Sequence, residues 1–316
     1  MDELQARHHE RLKTLTAGHI SLPAAFVLYA FTFLLLFSLP AAALDNIARD
    51  YTERVGLTRQ QITKRLNNPV SNLWRIILQN NYSLLNGDIS TKNRGLWLTR
   101  VQIALPIPLT EKLNLLMRPV VPFLSAPVPL DNGNFNRKGG MGNIKLPILL
   151  ATNKQQGLVM GVGPVFDFPS STDPDLGTGK WSAGPNAAAF YIGKKWVLGA
   201  ILSHVWSFAG KSSRKDVSAA TLQYAAWYIH KSGWQVGLGS PIIVADWEAD
   251  DDADRWTVPV GLGIGKLLKI PRMPVQIELE ASYAVVHPNT FGERWNFRLV
   301  IQRVFPALIQ TPIFGR

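Results

Sequence analysis

Cysteine is absent from all 316 residues. That excludes disulfides, thiolate metal sites and cysteine nucleophiles. It also fits a chain that crosses an oxidising compartment and must not cross-link on the way. Charge is scarce, with Asp, Glu, Lys and Arg at 17% of the chain. Past the N-terminal region no apolar run is long enough for a helical span, so any membrane role falls to strands. The net charge of +11 is dispersed, without a compact Arg/Lys run or a nucleic-acid motif. Nucleic acid is therefore not the expected partner. No phosphate-binding loop is present either. Gly261-x-Gly263-x-Gly265 stays in a strand and opens no helix, so no cofactor is expected.

What is present begins with an export pattern. Arg7, Arg11 and Lys13 flank an apolar run from Leu22 to Leu39, and Pro40, Ala41, Ala42 and Ala43 form a small-residue cleavage site. Residues 1–43 read as a signal peptide cut near Ala43, with an uncleaved anchor as the alternative. Residues 44–68 are polar and helix-like, with Ile47, Val55, Ile62 and Leu66 only loosely amphipathic. They read as a periplasmic N-terminal segment, either a tail or a piece that folds into a barrel mouth.

After Pro69 the period changes to two, the strand rule. Twelve segments result: 71–82, 96–105, 113–123, 143–150, 157–168, 180–191, 195–208, 219–229, 233–245, 255–266, 274–286 and 293–305. Each has roughly the 9–11 residues that a tilted strand needs to cross a bilayer, or slightly more. In 274–286, Val275, Ile277, Leu279, Ala281 and Tyr283 oppose Gln276, Glu278, Glu280 and Ser282. Connections alternate in length. Short ones rich in Lys and Arg (106–112, 152–156, 193–194, 230–232, 267–273) rotate with mostly longer ones (83–95, 124–142, 169–179, 209–217, 246–254, 287–292). A soluble sandwich would also alternate. The even strand count, the alternating turns, the export pattern and Trp97, Trp181, Trp234, Trp256 and Trp295 near strand ends favour lipid outside. The expected fold is all-β: a 12-stranded antiparallel transmembrane β-barrel over residues 69–305, with a short N-terminal helical segment and a C-terminal tail over 306–316. Pro119, Pro164, Pro185, Pro241 and Pro259 fall inside strands, where proline removes a ladder bond, so bulges are expected there.

Six stretches occur in order: Asn67-Asn68-Pro69-Val70-Ser71-Asn72-Leu73, Gln79-Asn80-Asn81-Tyr82, Gly161-Val162-Gly163-Pro164-Val165-Phe166, Thr178-Gly179-Lys180-Trp181, Ser203-His204-Val205-Trp206-Ser207 and Trp256-Thr257-Val258-Pro259-Val260-Gly261. Over residues 66–305 the chain resembles a family of bacterial outer-membrane proteins labelled transporters, related to the barrel proteins of the phenol-degradation meta pathway. The resemblance implies an outer-membrane barrel that passes small organic solutes. It carries no catalytic or binding residue with it.

The strand phase nominates lumen-lining residues: Arg75, Arg100, Arg118, Glu278, Glu280, Arg294 and Arg298. The two glutamates can face the last two arginines across neighbouring strands, as a structural ion-pair ladder or as a charged eyelet that sets selectivity. Rows of inward glycine (Gly157, Gly161, Gly163; Gly237, Gly239; Gly261, Gly263, Gly265) leave room for a solute or a plug, or ease curvature. The outer loop residues Asp246, Glu248, Asp250, Asp251, Asp252 and Asp254 offer oxygen ligands to a cation, although their spacing lacks the glycine and final glutamate of an EF-hand, so a solvated loop competes and no metal is assigned. Ser203 and His204 are adjacent and so point to opposite faces, which argues against a catalytic triad. The chain is thus expected to be a channel or transporter rather than an enzyme. The alternatives are an outer-membrane lipid hydrolase and a closed structural or docking barrel. Expected partners are outer-membrane lipid, the outer-membrane assembly machinery and a small-molecule solute.

Overall fold

A computed structural model describes residues 57–130, 133–270, 273–305, 309 and 311–314. The expected signal peptide and cleavage site (residues 1–43) and residues 44–56 of the expected N-terminal segment lie outside the described residues. Helix α1 (Arg59–Asn67) is followed by β1 (Arg75–Gly87), β2 (Ser90–Pro108), β3 (Leu113–Met117), β4 (Val120–Pro129), β5 (Phe135–Met141), β6 (Ile144–Thr152), β7 (Gly157–Phe168), β8 (Lys180–Ile192), β9 (Trp196–Gly210), β10 (Ser218–Ile229), β11 (Trp234–Gly239), β12 (Ile242–Asp246), β13 (Trp256–Ile270), β14 (Met273–Val286) and β15 (Gly292–Val304). The pieces β3/β4, β5/β6 and β11/β12 each make one interrupted crossing, so the wall has twelve strands. Neighbours pair antiparallel throughout, and β1 closes the circle by pairing with both β15 and β2. No open edge is left to template another chain. Among the described residues no helix is long and apolar enough to cross a membrane.

The wall is inside-out relative to a water-soluble protein. Leu158, Met160, Val162, Leu202, Val236, Leu262, Ile264 and Leu279 project outward and are exposed. The five tryptophans expected in a belt are on this face too, 40–48% exposed. A continuous apolar outer band rimmed by tryptophan is stable against hydrocarbon, not against water.

Each of the five prolines expected to disturb the wall coincides with a fault in the ladder. Pro119 separates β3 from β4, and Pro241 separates β11 from β12. Pro259 sits at a register shift between β13 and β14. Pro164 faces Pro185 across β7 and β8. Beside that pair, β6–β7 pairing skips from Pro147/Val165 to Leu150/Val162, and β8–β9 pairing skips from Ala183/Trp206 to Asn186/Ser203. The missing N–H at these prolines is accommodated by a strand break, a gap in the pairing or a register shift.

Two outer connections differ from expectation. Residues 83–95 are not a loop: β1 and β2 run on and are joined by Asp88 and Ile89 alone. Residues 124–142 form mostly a hairpin of β4 and β5. Above the bilayer both faces of a strand meet water, so apolar alternation disappears while the backbone pairing continues. The polar composition that reads as loop is a hairpin standing in solvent.

Candidate functional site

The lumen is the only large concave feature a barrel wall creates, and this one is divided lengthwise. Strands β6 to β10 turn apolar groups inward: Leu149, Ala151, Val159, Ala188, Phe190, Val197, Ala225 and Trp227. Trp227 is 1% exposed, the reverse of the belt tryptophans. It has room because Gly263 lies opposite, where a Cβ would come 2.5 Å from the indole. Strands β14, β15, β1 and β2 turn amides and charges inward. Arg298 Nη1 meets Glu280 Oε2 at 3.1 Å, and Arg298 Nε donates to Asn81 Oδ1 at 3.1 Å. Gln79 and Gln102 extend the chain of bonds. Below them Gln302 and Gln276 both donate to Glu278 Oε1, and Gln276 also donates to Gln235.

The Arg298–Glu280 pair also mends the wall. At the Ser240–Pro241 break, Ser240 N–H donates to Glu280 Oε2 at 3.0 Å, and Ser240 C=O accepts from Arg298 Nη1 at 2.7 Å. Side chains thus replace the ladder bonds that proline forbids, leaving no orphaned backbone group there. Gly239 adopts φ +71°, where a Cβ would collide with the Glu280 carboxylate.

Between the two walls stand α1 and the residues that follow it. A capping box starts α1: Thr58 Oγ1 accepts from Gln61 N–H, and Gln61 Oε1 accepts from Thr58 N–H. Lys64 and Arg65 in the last turn suit the negative end of the helix dipole. Ile62 and Leu66 pack with Leu73, Leu267 and Val304. Gln60 Nε2 donates to the Ile229 carbonyl at 2.7 Å, and Lys64 Nζ donates to the carbonyls of Gly193 and Lys194. These acceptors lie at the end of the barrel with short turns. Asn67 Nδ2 donates to Gln235 Oε1, joining the helix to the polar wall. Val70 sits in the apolar cluster with Trp227. Arg75 then closes the segment from behind, donating to the carbonyls of Arg65, Leu66 and Asn68 at 3.3, 2.5 and 3.1 Å. Residues 58–70 are thus folded in against the inner face of the wall.

The nominated lumen residues divide into three groups. Arg75, Glu278, Glu280 and Arg298 are buried and committed to bonds already described. Arg100 and Arg118 are on the inward face, and no described residue bonds their guanidinium groups. Arg294 departs from the expected placement. A bulge pairs Leu84 with Trp295 and Leu85 with Glu293, skipping Arg294. Arg294 then stacks 5.4 Å from the Tyr283 ring, on the outward side. Glu293 takes the inward place, accepting from Ser83 and Asn296. The expected double ladder is therefore single, because the register sets Glu278 opposite Val300 while Glu280 opposes Arg298.

The acidic outer loop is spread rather than convergent. Asp250 pairs with Lys215, Asp252 with Arg255, and Asp254 accepts from Thr290. Asp246 and Asp251 accept local backbone N–H groups from Glu248 and Ala253. Among the described residues no three carboxylate or imidazole groups form a cation-binding set. Hydrogen bonds from Thr290 hold the Asp254 carboxyl below its ordinary pKa.

His204 faces outward and stacks on Trp206, with ring centroids 4.1 Å apart. Its Nε2 lies 3.2 Å from Ser218 Oγ, a contact that sequence adjacency did not suggest; Ser203 turns inward to Thr221. No described residue bonds His204 Nδ1 to orient the ring, so the pair lacks the third member that nucleophilic catalysis uses.

No protein-family model matches the chain, and no curated protein matches it. Solved structures do. The COG4313 outer membrane channel from Pseudomonas putida F1 aligns with a TM-score of 0.58 at 17% identity, covering 74% of this chain and 96% of that one. This likeness establishes a shared fold. The NanC porin aligns at 0.46 with 10% identity over 73% and 99%, and the P. putida toluene transporter TodX at 0.38 with 9% identity over 80% and 93%.

Proposed function

We propose that this chain is an outer-membrane channel for uptake of small organic solutes, closed at rest by its own plug. The observation that carries the reading is the plug itself. A barrel needed only as a scaffold could fill its lumen from the strands alone. Here a separate helix and the extended residues that follow it fill the gap between an apolar wall and a polar wall. They are held by a few polar anchors: Gln60, Lys64, Asn67 and Arg75. The outward apolar band supports placement in the outer membrane, with residues 1–43 as a cleaved signal and the assembly machinery and lipid as partners. The order of the six sequence stretches supports membership of the meta-pathway-related family, and with it an aromatic or other organic cargo.

The test is single-channel recording in planar bilayers. The native chain should show rare, small openings. The Gln60→Ala/Lys64→Ala double variant, which loosens two plug anchors without touching the wall, should show frequent ones. A heat-modifiable, folded double variant that never conducts would sink the channel reading.

A further inference from the structure

We infer that the lumen contains a binding site for a small amphipathic anion, an apolar body bearing a carboxylate, built from Arg118 and Asn186 and covered in this structure by Pro69 of the plug. The inference rests on the channel reading and names the class of solute it serves.

Arg118 sits at the Arg118–Pro119 fault between β3 and β4, where its backbone N–H is taken by the Pro147 carbonyl. Its guanidinium has no bonding partner among the described residues. Asn186, on β8, is 5% exposed, and its Oδ1 is buried without a hydrogen-bond partner. A buried amide oxygen left unpaired is costly, and native interiors rarely tolerate one without a ligand or water to satisfy it. Both side chains line one small void whose other walls are Pro69, Leu116, Pro147, Leu149 and Ile201. Five of the seven lining residues are apolar, and Arg118 is the charged residue among them.

That chemistry selects its occupant. The guanidinium fork matches a carboxylate in two parallel bonds. The Asn186 amide has donor and acceptor ends and can turn its Nδ2 to the same group. The leucine, isoleucine and proline side chains suit a short hydrocarbon body. Arg75 lies close enough for its charge to act on Arg118, but its fork is occupied by plug carbonyls. Glu278, the acid near Arg75, is held by Gln276 and Gln302. At this void an incoming anion therefore meets the guanidinium of Arg118.

The void now has room for about one water molecule. A larger solute fits only if Pro69 withdraws, so plug and anion compete for one place. Apparent affinity is then the intrinsic affinity scaled by the fraction of molecules with the plug displaced. Loosening the plug elsewhere should tighten binding, although it adds no contact to the solute.

Calorimetric titration of the folded full chain with hexanoate, hexanol and acetate tests this. Hexanoate should bind saturably, more tightly than either control. The Arg118→Gln variant should lose roughly tenfold or more in affinity, the effect of removing a charge-assisted bond. Arg118→Lys should retain part of it, and Asn186→Leu should weaken it without affecting hexanol. The Gln60→Ala/Lys64→Ala variant should bind hexanoate several-fold more tightly than the native chain. Equal affinity in the native and Arg118→Gln proteins, or no saturable binding even with the plug loosened, would overturn the site. A chain that conducts but ignores hexanoate removes this inference and leaves the channel. A chain that binds hexanoate yet never conducts keeps the site and removes the channel.

Discussion

Glu280 and Arg298 are each less than a tenth exposed, and each satisfies both the other and one side of the Ser240 peptide. Removing one partner strands a buried charge, at a cost of about 3–5 kcal/mol. Arg298→Leu and Glu280→Leu should each lower unfolding free energy in lipid vesicles by about that much. The double replacement should cost less than the sum, and a urea-unfolding cycle would show the difference. On the proposed channel reading, selectivity would belong to other residues. Arg100 and Arg118 have unbonded guanidinium groups on the lumen face, so their replacement by Gln should move reversal potentials toward cations. Arg294→Gln should leave them unchanged, since Arg294 stacks on Tyr283 outside. At this scale the sequence was legible as far as period two held. It identified the inward faces of Arg75, Arg100, Arg118, Glu278, Glu280 and Arg298. It failed at Arg294, because a one-residue bulge inverts the phase and leaves no mark in composition. It could not reveal the partner of His204 either, since Ser218 reaches it from the next strand.

Elements tell a related story. The prolines were legible as faults, but the repair of the Ser240–Pro241 fault by side chains from strands farther round the wall was not. Residues 83–95 and 124–142 looked like loops because a hairpin in water needs no apolar face. The helix was legible only loosely, from Ile62 and Leu66 and from the change of period after Pro69; the Thr58/Gln61 capping box and its position inside the barrel, which depends on carbonyls far away in sequence, were not. Two predictions belong here. In hydrogen exchange, the amides of α1 should exchange faster in Gln60→Ala/Lys64→Ala than in the native chain, while β14 and β15 stay protected. The second concerns the outer rim, where Asp254 accepts from Thr290 and the turn at Asp88–Ile89 donates to Asn289 and Thr290. The Asp254 carboxyl has a folded-state pKa below its unfolded value. Its stabilising contribution is therefore present above the ordinary carboxylate range and is lost as pH falls through the lowered value. Protease nicking of residues 287–291 should increase only in that acidic window, and Asp254→Asn should remove the pH dependence.

The barrel wall has three unlike surfaces: an apolar exterior, an apolar half-lumen and a polar half-lumen. Alternation along single strands made the exterior legible. The division of the interior was not, because it emerges only when strands far apart in sequence are set side by side. The lining from Leu149 to Trp227 comes from one run of consecutive strands, and the polar wall comes from the two ends of the chain brought together at the β1–β15 seam. The plug's place in the chain has a consequence in time. Three of its anchors, Gln60, Lys64 and Asn67, join residues 129 to 169 positions apart, linking the start of the described chain to acceptors beyond its middle. Contacts so distant in sequence form late, after shorter-range pairing has been made. The seat for Gln60, Lys64 and Asn67 does not exist until the β8–β9 and β10–β11 turns and β11 are in place. In refolding into vesicles, far-UV circular dichroism should therefore reach its final value before the amides of α1 gain protection. The segment that leaves the ribosome ahead of every strand is then the last to arrive, and its docking marks a finished barrel.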